Sequence, residues 1–309
     1  MKRLIFLFAA LTATLSAQVK DDTSLLIKSY TIQQLVTLSD SGGVLLPARI
    51  NEIDTHFIIH SSFEGILLDS KFAEQNKIKG APTRAQLNYE LELKEKPNVH
   101  FARIDNLSVG TGAAFNLLRG KRTLIAETNL PVAAKFKNLT LPIAGFAGLE
   151  MVEEIKPIID FGNSRLLLPH KGTSVGLYSE IVTQNGYEPV IMVRERKTGA
   201  YYVVVKFKRK DYGFLVDLNQ TGSTIDGRML RQMGLKDVDG KVRATTGSLG
   251  LTPIDDFTFQ KADIENSGRN ILGYRYAGRV GVDFFKKFNV AVDFAGPLAV
   301  VPIPLEVER

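Results

Sequence analysis

From Val44 onward the chain alternates short runs rich in Val, Ile, Leu, Phe and Tyr with breaks of Gly, Asn, Pro and Ser. In the first half such runs fall at Val44–Ile50, Thr55–His60, Ala85–Leu93, His100–Val109, Leu139–Ile143, Pro157–Phe161 and Arg165–Pro169. The second half repeats the habit at Pro189–Val193, Ala200–Phe207, Tyr212–Val216, Val242–Thr246, Phe257–Lys261, Ala291–Phe294 and Leu298–Pro302. Runs of this length, with this content of β-branched and aromatic residues, predict strands. Short helices are predicted over Asp69–Asn76, Glu150–Glu154, Asp226–Met233 and Asp283–Lys287, with Asp69 and Asp226 at the N-cap. Val19–Leu38 mixes apolar and polar residues without a period and reads as an irregular lead-in.

The pattern occurs twice. Phe57–Ile78 lies on Phe214–Leu235 without a gap, which places Phe57 on Phe214, His60 on Asp217, Asp69 on Asp226 and Ile78 on Leu235. Downstream, Gly148-Leu149-Glu150-Met151 with Ile159-Asp160-Phe161 matches Gly281-Val282-Asp283-Phe284 with Val292-Asp293-Phe294. In both copies the glycine precedes the aspartate of Asp-Phe by twelve residues. Self-similarity at fixed spacing implies a duplicated domain.

These residues resemble the retropepsin-like aspartic peptidases, in the tandem single-chain arrangement that pepsin also uses. In that family an apolar strand runs into Asp-Thr/Ser-Gly, then small residues, an apolar pair, a short helix and Gly-Leu. A Gly-Leu-Asp-Phe type segment and a closing strand ending in Asp-Phe follow. Phe214–Leu235 and Gly278–Phe294 fit this frame closely, and Phe57–Ile78 and Gly145–Pro169 more loosely. The likeness covers about residues 40–305. It implies an all-β, bilobal acid-protease (retropepsin/pepsin-like) fold, with two β-barrel lobes related by a pseudo-twofold. The lobes are expected at 40–170 and 195–305, joined by a linker at 171–194. Asp160 and Asp293 are expected to cap surface turns of the closing strands, and Gly148 and Gly281 to brace the catalytic loop. Gly247-Ser248-Leu249-Gly250 stands where the family carries a flap over the cleft, and Asn88–Val99 is its first-half counterpart.

The catalytic triplet departs from the family. An aspartic peptidase brings two carboxylates together, and because like charges so close cannot both ionise, the pair shares one proton. One takes a proton from the attacking water while the other acts as acid toward the peptide carbonyl. The neighbouring Thr or Ser hydrogen-bonds across the halves, and the Gly leaves bare backbone against the substrate. Here the second copy keeps Asp217 but has Leu218 and Asn219. The first has His60, Ser61 and Ser62. His60 and Asp217 therefore stand as the candidate catalytic positions, with Ser61, Ser62, Leu218 and Asn219 as their motif neighbours. The sequence predicts an impaired enzyme that binds an extended peptide or protein segment between its lobes. The alternative is an active endopeptidase, or a repurposed hydrolase working through Asp217 with His60; an envelope interaction protein that makes no use of the cleft is a further one.

Composition narrows the setting. Met1-Lys2-Arg3, then Leu4–Leu11 and small residues up to Ala17, read as a signal peptide over 1–17, which predicts a periplasmic or secreted protein. With no cysteine in the 309 residues, disulfides, thiol catalysis and Cys-bound metals are excluded. The formal charge of +6 includes Lys2 and Arg3. The one dense basic run, Lys206-Phe207-Lys208-Arg209-Lys210, reads as a solvated strand and hairpin tip. Neither nucleic acid nor, after leader cleavage, a membrane is expected as partner, and a monomer is expected. His56 and His60 would lie about 13 Å apart along a strand, too far for a shared zinc, so neither a metal nor another cofactor is predicted. Phosphate-loop and dinucleotide signatures are absent from the sequence.

Overall fold

The computed structural model describes residues 24–303, apart from 39–42, 62, 84–98, 113–115, 119–121, 132, 137–138 and 197. The expected signal peptide 1–17, the run Ala85–Leu93, nearly all of the Asn88–Val99 stretch and Ser62 lie outside the described residues. The protein is all-β and bilobal, as the resemblance implied.

Each lobe is built on the same frame. Leu45–Ile50 and Ile53–Ile59 form an antiparallel hairpin around Asn51 and Glu52, both at positive φ. Two such residues make the turn whose twist matches paired strands. Its equivalent is Tyr201–Phe207 with Lys210–Val216, where Tyr202 faces Leu215 as Leu45 faces Ile58. A long strand then runs parallel to the second arm: Leu139–Ala147 beside Ile53–Ile59, and Tyr274–Val280 beside Lys210–Val216. Gly145 sits opposite Phe57, and Gly278 opposite Phe214. A Cβ on Gly145 would fall 1.9 Å from the Leu67 carbonyl oxygen, and one on Gly278 2.3 Å from that of Thr224. Only glycine permits this backbone approach.

The lobes meet in a sheet that crosses their boundary. Ile158–Asp160 pairs antiparallel with Ala291–Asp293, and Ile159 faces Val292. These two residues are each other's equivalents in the repeat, so the pseudo-twofold passes between them. Outward from this pair lie Arg165–Pro169 and Tyr30–Gln34 on one side, Leu298–Pro302 and Tyr187–Arg194 on the other. Tyr30 faces Pro169 as Tyr187 faces Pro302. Leu26, Tyr30, Leu167, Tyr178, Ile181 and Val300 pack into one apolar layer on this sheet. A second cluster runs continuously through both lobes, with Phe161 stacked on Phe285 at 5.4 Å between ring centroids.

Several expectations change. Val19–Leu38 is no irregular lead-in where it is described: residues 24–29 are helical and Tyr30–Gln34 is a strand. The stretch 171–194, read as a linker, carries the helix Leu177–Thr183, and the strand expected at Pro189–Val193 is present and longer, Tyr187–Arg194. His100–Val109 is two strands, His100–Arg103 and Leu107–Val109, because the Asn51 side chain accepts from the Asp105 and Asn106 amides and holds a turn there. Asp69 caps Ser70–Gln75, but Asp226 ends a strand and the helix Leu230–Met233 starts later. Asp226 is instead fixed by the Ile264 amide and by Arg228. Asp160 and Asp293 do cap the turns after their strands, through the Asn163 amide and through the Ala295 and Gly296 amides, but their own side chains are buried in the bridging sheet. Finally, Gly247–Gly250 opens a hairpin, Ser248–Leu249 with Thr252–Pro253, whose Ser248 pairs with Lys206 at the far end of the strand from the Asp217 loop. Glu188 ties it down through the Leu251 amide at 2.6 Å, so it is not a flap over that loop.

Candidate functional site at the seam between the lobes

The strands Ile53–Ile59 and Lys210–Val216 deliver His60 and Asp217 to matching loops. The His60 amide donates to the Ala147 carbonyl and the Asp217 amide to the Val280 carbonyl, each at 2.9 Å. Leu149 N donates to Phe63 O and Glu150 N to Glu64 O. Val282 N to Gln220 O and Asp283 N to Thr221 O repeat the pattern in the other lobe. Gly148 and Gly281 sit inside these braces. A Cβ on Gly148 would lie 2.4 Å from the carbonyl oxygens of both Phe63 and Gly65; one on Gly281 would lie 2.7 Å and 2.8 Å from those of Gln220 and Gly222.

The two loops are locked to each other. The Leu218 amide donates to Ser61 Oγ at 3.1 Å, and the Ser61 amide donates to Asn219 Oδ1 at 3.3 Å. Ser61 thus makes the cross-lobe bond that the family assigns to its hydroxyl residue. Leu218, which has no hydroxyl, cannot return it, and the side chain of Asn219 does so from the next position. Asn219 therefore carries a role that its replacement of a glycine did not suggest. Asn219 N also donates to Asp217 Oδ1 at 3.2 Å, which orients that carboxylate.

The two half-sites are opposite in chemistry. The His60 ring lies edge-on to Phe146, with centroids 5.2 Å apart, and to Phe63 at 6.3 Å. Burial pushes its imidazole down to about 4, because the charged form loses its hydration in this apolar setting. Asp217 Oδ2 lies 3.7 Å from Arg279 Nη1. Arg279 faces Leu215 in the parallel pair as Phe146 faces Ile58, so Phe146 and Arg279 are equivalent residues. One lobe sets His against Phe; the other sets Asp against Arg. Beyond Arg279 the polar character continues. Arg269 reaches Glu195 at 3.2 Å and the Tyr202 hydroxyl at 3.0 Å, and Thr198 Oγ1 donates to Glu195 at 2.6 Å.

Both His60 and Asp217 are less than a tenth exposed, and Ser61 and Leu218 are buried with them. His56 lies elsewhere, lining a surface pocket with Arg49 and Asp54. Among the described residues no three His, Asp or Glu side chains converge as a metal site. Sequence reasoning missed Arg279. Carrying the downstream repeat back from Gly148 and Gly281 by two residues would have set Phe146 against Arg279 and exposed the swap.

No protein-family model matches this chain, and no curated protein matches it. Solved structures do. An aspartic proteinase from Irpex lacteus is 9% identical with a TM-score of 0.46, covering 90% of this chain and 99% of its own. A retropepsin-like aspartic protease from Rickettsia conorii is 12% identical with a TM-score of 0.30, covering 39% of this chain and 98% of its own. Conglutin gamma, a basic 7S globulin from lupine seeds, is 8% identical with a TM-score of 0.43, covering 89% and 95%. Likenesses at this level add nothing to what the chain's own topology and repeat establish.

Proposed function

We propose that this chain is an exported, catalytically silent protein of the aspartic-peptidase architecture, which holds an extended peptide or protein segment between its lobes without cutting it. The observation that carries this is the divergence of the two half-sites: His60 against Phe146, Asp217 against Arg279. A shared-proton dyad needs two carboxylates pressed together. Here one position holds an imidazole that burial keeps neutral down to about pH 4, and the other holds a carboxylate facing a guanidinium. Neither pair of groups can pass a proton between two carboxyls. The cross-lobe lock through Ser61, Leu218 and Asn219 nevertheless keeps the seam in register. A maintained seam without a dyad fits a binding role, in which an extended segment gains main-chain hydrogen bonds from strand edges.

A second reading draws on Phe63, which is buried beside His60 in an apolar cluster with Leu67 and Phe146. Such packing favours an interaction protein of the envelope that makes no use of the cleft. Passing a diverse library of extended peptides over the immobilised protein separates the two. Retention that is lost in a variant with a bulky Trp at Asn219 supports the cleft reading; no retention of any peptide supports the second.

A further inference from the structure

The duplicated hairpin turn has changed its charge between the lobes. In the first lobe the turn is Asn51-Glu52, and Arg49 is held by Asp54 at 2.7 Å and by Glu52 at 3.8 Å. In the second, the equivalent stretch carries Lys206, Lys208, Arg209 and Lys210, all exposed, against one acid, Asp211. The basic face extends from there. Lys208 crosses the Gly234 turn so closely that a Cβ on Gly234 would fall 2.1 Å from its Nζ. Gly234 lines a cavity of about 780 Å³ together with Lys236, Lys241, Arg243 and Val238. Two acids near this face are already engaged, Asp237 by Lys261 and Asp256 by Arg243; Asp239 also lines the cavity.

Apolar tips stand among these cations. Val238 is 69% exposed in the hairpin formed by Asp237–Val238 and Lys241–Arg243. Leu272 is 59% exposed at the turn between Asn270–Ile271 and Tyr274–Val280. Its φ is +48°, a left-handed conformation that a residue with a Cβ adopts only at a cost. Gly273 next to it lines a pocket with Lys210, Gln232 and Arg275, so both tips flank residues 232–236 at the same end of the lobe.

From this juxtaposition we propose that the basic end of the second lobe docks on the surface of an anionic lipid bilayer, with Val238 and Leu272 entering the headgroup layer. Cations drawn to the negative surface and a few aliphatic side chains at hairpin tips are the two terms of interfacial attachment. No helix among the described residues is long and apolar enough to cross a membrane, so this is attachment to a surface. It departs from the sequence-level reading of Lys206–Lys210 as a solvated tip. The soluble nucleic-acid reading is disfavoured because the side chains that project furthest among the cations are the aliphatic Val238 and Leu272, while the one aromatic beside Lys210 and Arg275 that is not buried, Tyr274, is only partly exposed.

Co-sedimentation of the full chain with vesicles tests this. The vesicles are equal parts phosphatidylglycerol and phosphatidylcholine, or phosphatidylcholine alone, and the latter report binding by residues 1–23, which all variants share. The mixed vesicles should bind more protein, and less as salt rises. At about 1 kcal/mol per cation near an anionic surface, the double change Lys208→Gln with Arg209→Gln should weaken partitioning about thirtyfold. Val238→Asp and Leu272→Asp should each lower it too, with unchanged circular dichroism. Arg49→Gln in the first lobe should have no effect. Equal binding to both vesicles, indifference to the Lys208 and Arg209 changes, or retention on heparin without vesicle binding would overturn the proposal.

Discussion

The sharpest energetic consequence of the duplication lies in the bridging sheet, where two equivalent buried aspartates have unequal partners. Asp160 receives Arg165 Nε at 3.1 Å and Nη2 at 2.6 Å, and the backbone amide and side chain of Asn163. At the matching positions the second lobe has Leu298 for Arg165 and Gly296 for Asn163. Asp293 is fully buried. Its Oδ1 accepts from the Ala295 and Gly296 amides, and its Oδ2 has no hydrogen-bond partner among the described residues. Burial raises its carboxyl above the ordinary value despite those two amides. A raised carboxyl means that the folded protein holds the proton longer than the unfolded chain. The associated stability is present at low pH and is lost as pH rises through the folded value. At neutral pH Asp293 is thus a buried charge with an unsatisfied oxygen, which costs about 1–3 kcal/mol. Asp293→Asn should recover part of this, gaining about 1–2 kcal/mol at pH 7 and nothing near pH 3. Asp160→Asn should lose about 1.5–3 kcal/mol at pH 7, since the buried carboxylate gives up its charge-assisted bonds to the partly exposed Arg165. Urea unfolding of both variants at a series of pH values measures the two differences. The reasoning is refuted if Asp293→Asn destabilises as Asp160→Asn does, or if its effect is the same at every pH.

Two further outcomes follow from the seam. Burial holds the His60 imidazole at about 4 against an ordinary 6.5, so its contribution is full above pH 6.5 and is lost as pH falls toward 4. The loss amounts to about 3 kcal/mol at 1.36 kcal/mol per unit, and His60→Phe should abolish it when the variant's stability is compared with wild type across that window by thermal melts. Gly148→Ala and Gly281→Ala should each cost several kcal/mol or prevent folding, because the new methyl group meets backbone carbonyl oxygens; Gly222→Ala, with nothing within 4 Å, should be near neutral in melting temperature.

Much of the scaffold was legible because it is carried by backbone necessity. The glycines at 148 and 281 cannot be replaced without collision, and the apolar strands before His60 and Asp217 must fill the same core, so both survive as a readable repeat. The outer strands of the bridging sheet did not survive in this way. Tyr30-Thr31-Ile32-Gln33-Gln34 and Tyr187-Glu188-Pro189-Val190-Ile191 occupy equivalent places, yet most of these residues are only partly covered, so their side chains were free to diverge. Asp226 misled because the same residue type that caps a helix also satisfies a strand end when Arg228 and the Ile264 amide lie beside it. The loop lock was half visible. A serine at 61 announces a hydroxyl acceptor, but Asn219 reaches across from one position later than the motif places its polar group. Arg279 was hidden for a different reason: its meaning lies in the contrast with Phe146, which a motif centred on the triplets does not include.

The central claim is that the peptidase architecture persists here without its chemistry. Mass spectrometry of a diverse peptide library, incubated with the purified protein from pH 3 to pH 7, tests it most directly. The account predicts intact peptides throughout, for the unmodified protein and equally for His60→Asp, in which Asp217 still faces Arg279. Catalytic groups act as a unit, so restoring one member does not restore the rate. Robust cleavage at acidic pH by the unmodified protein, abolished by Asp217→Asn, would contradict the account.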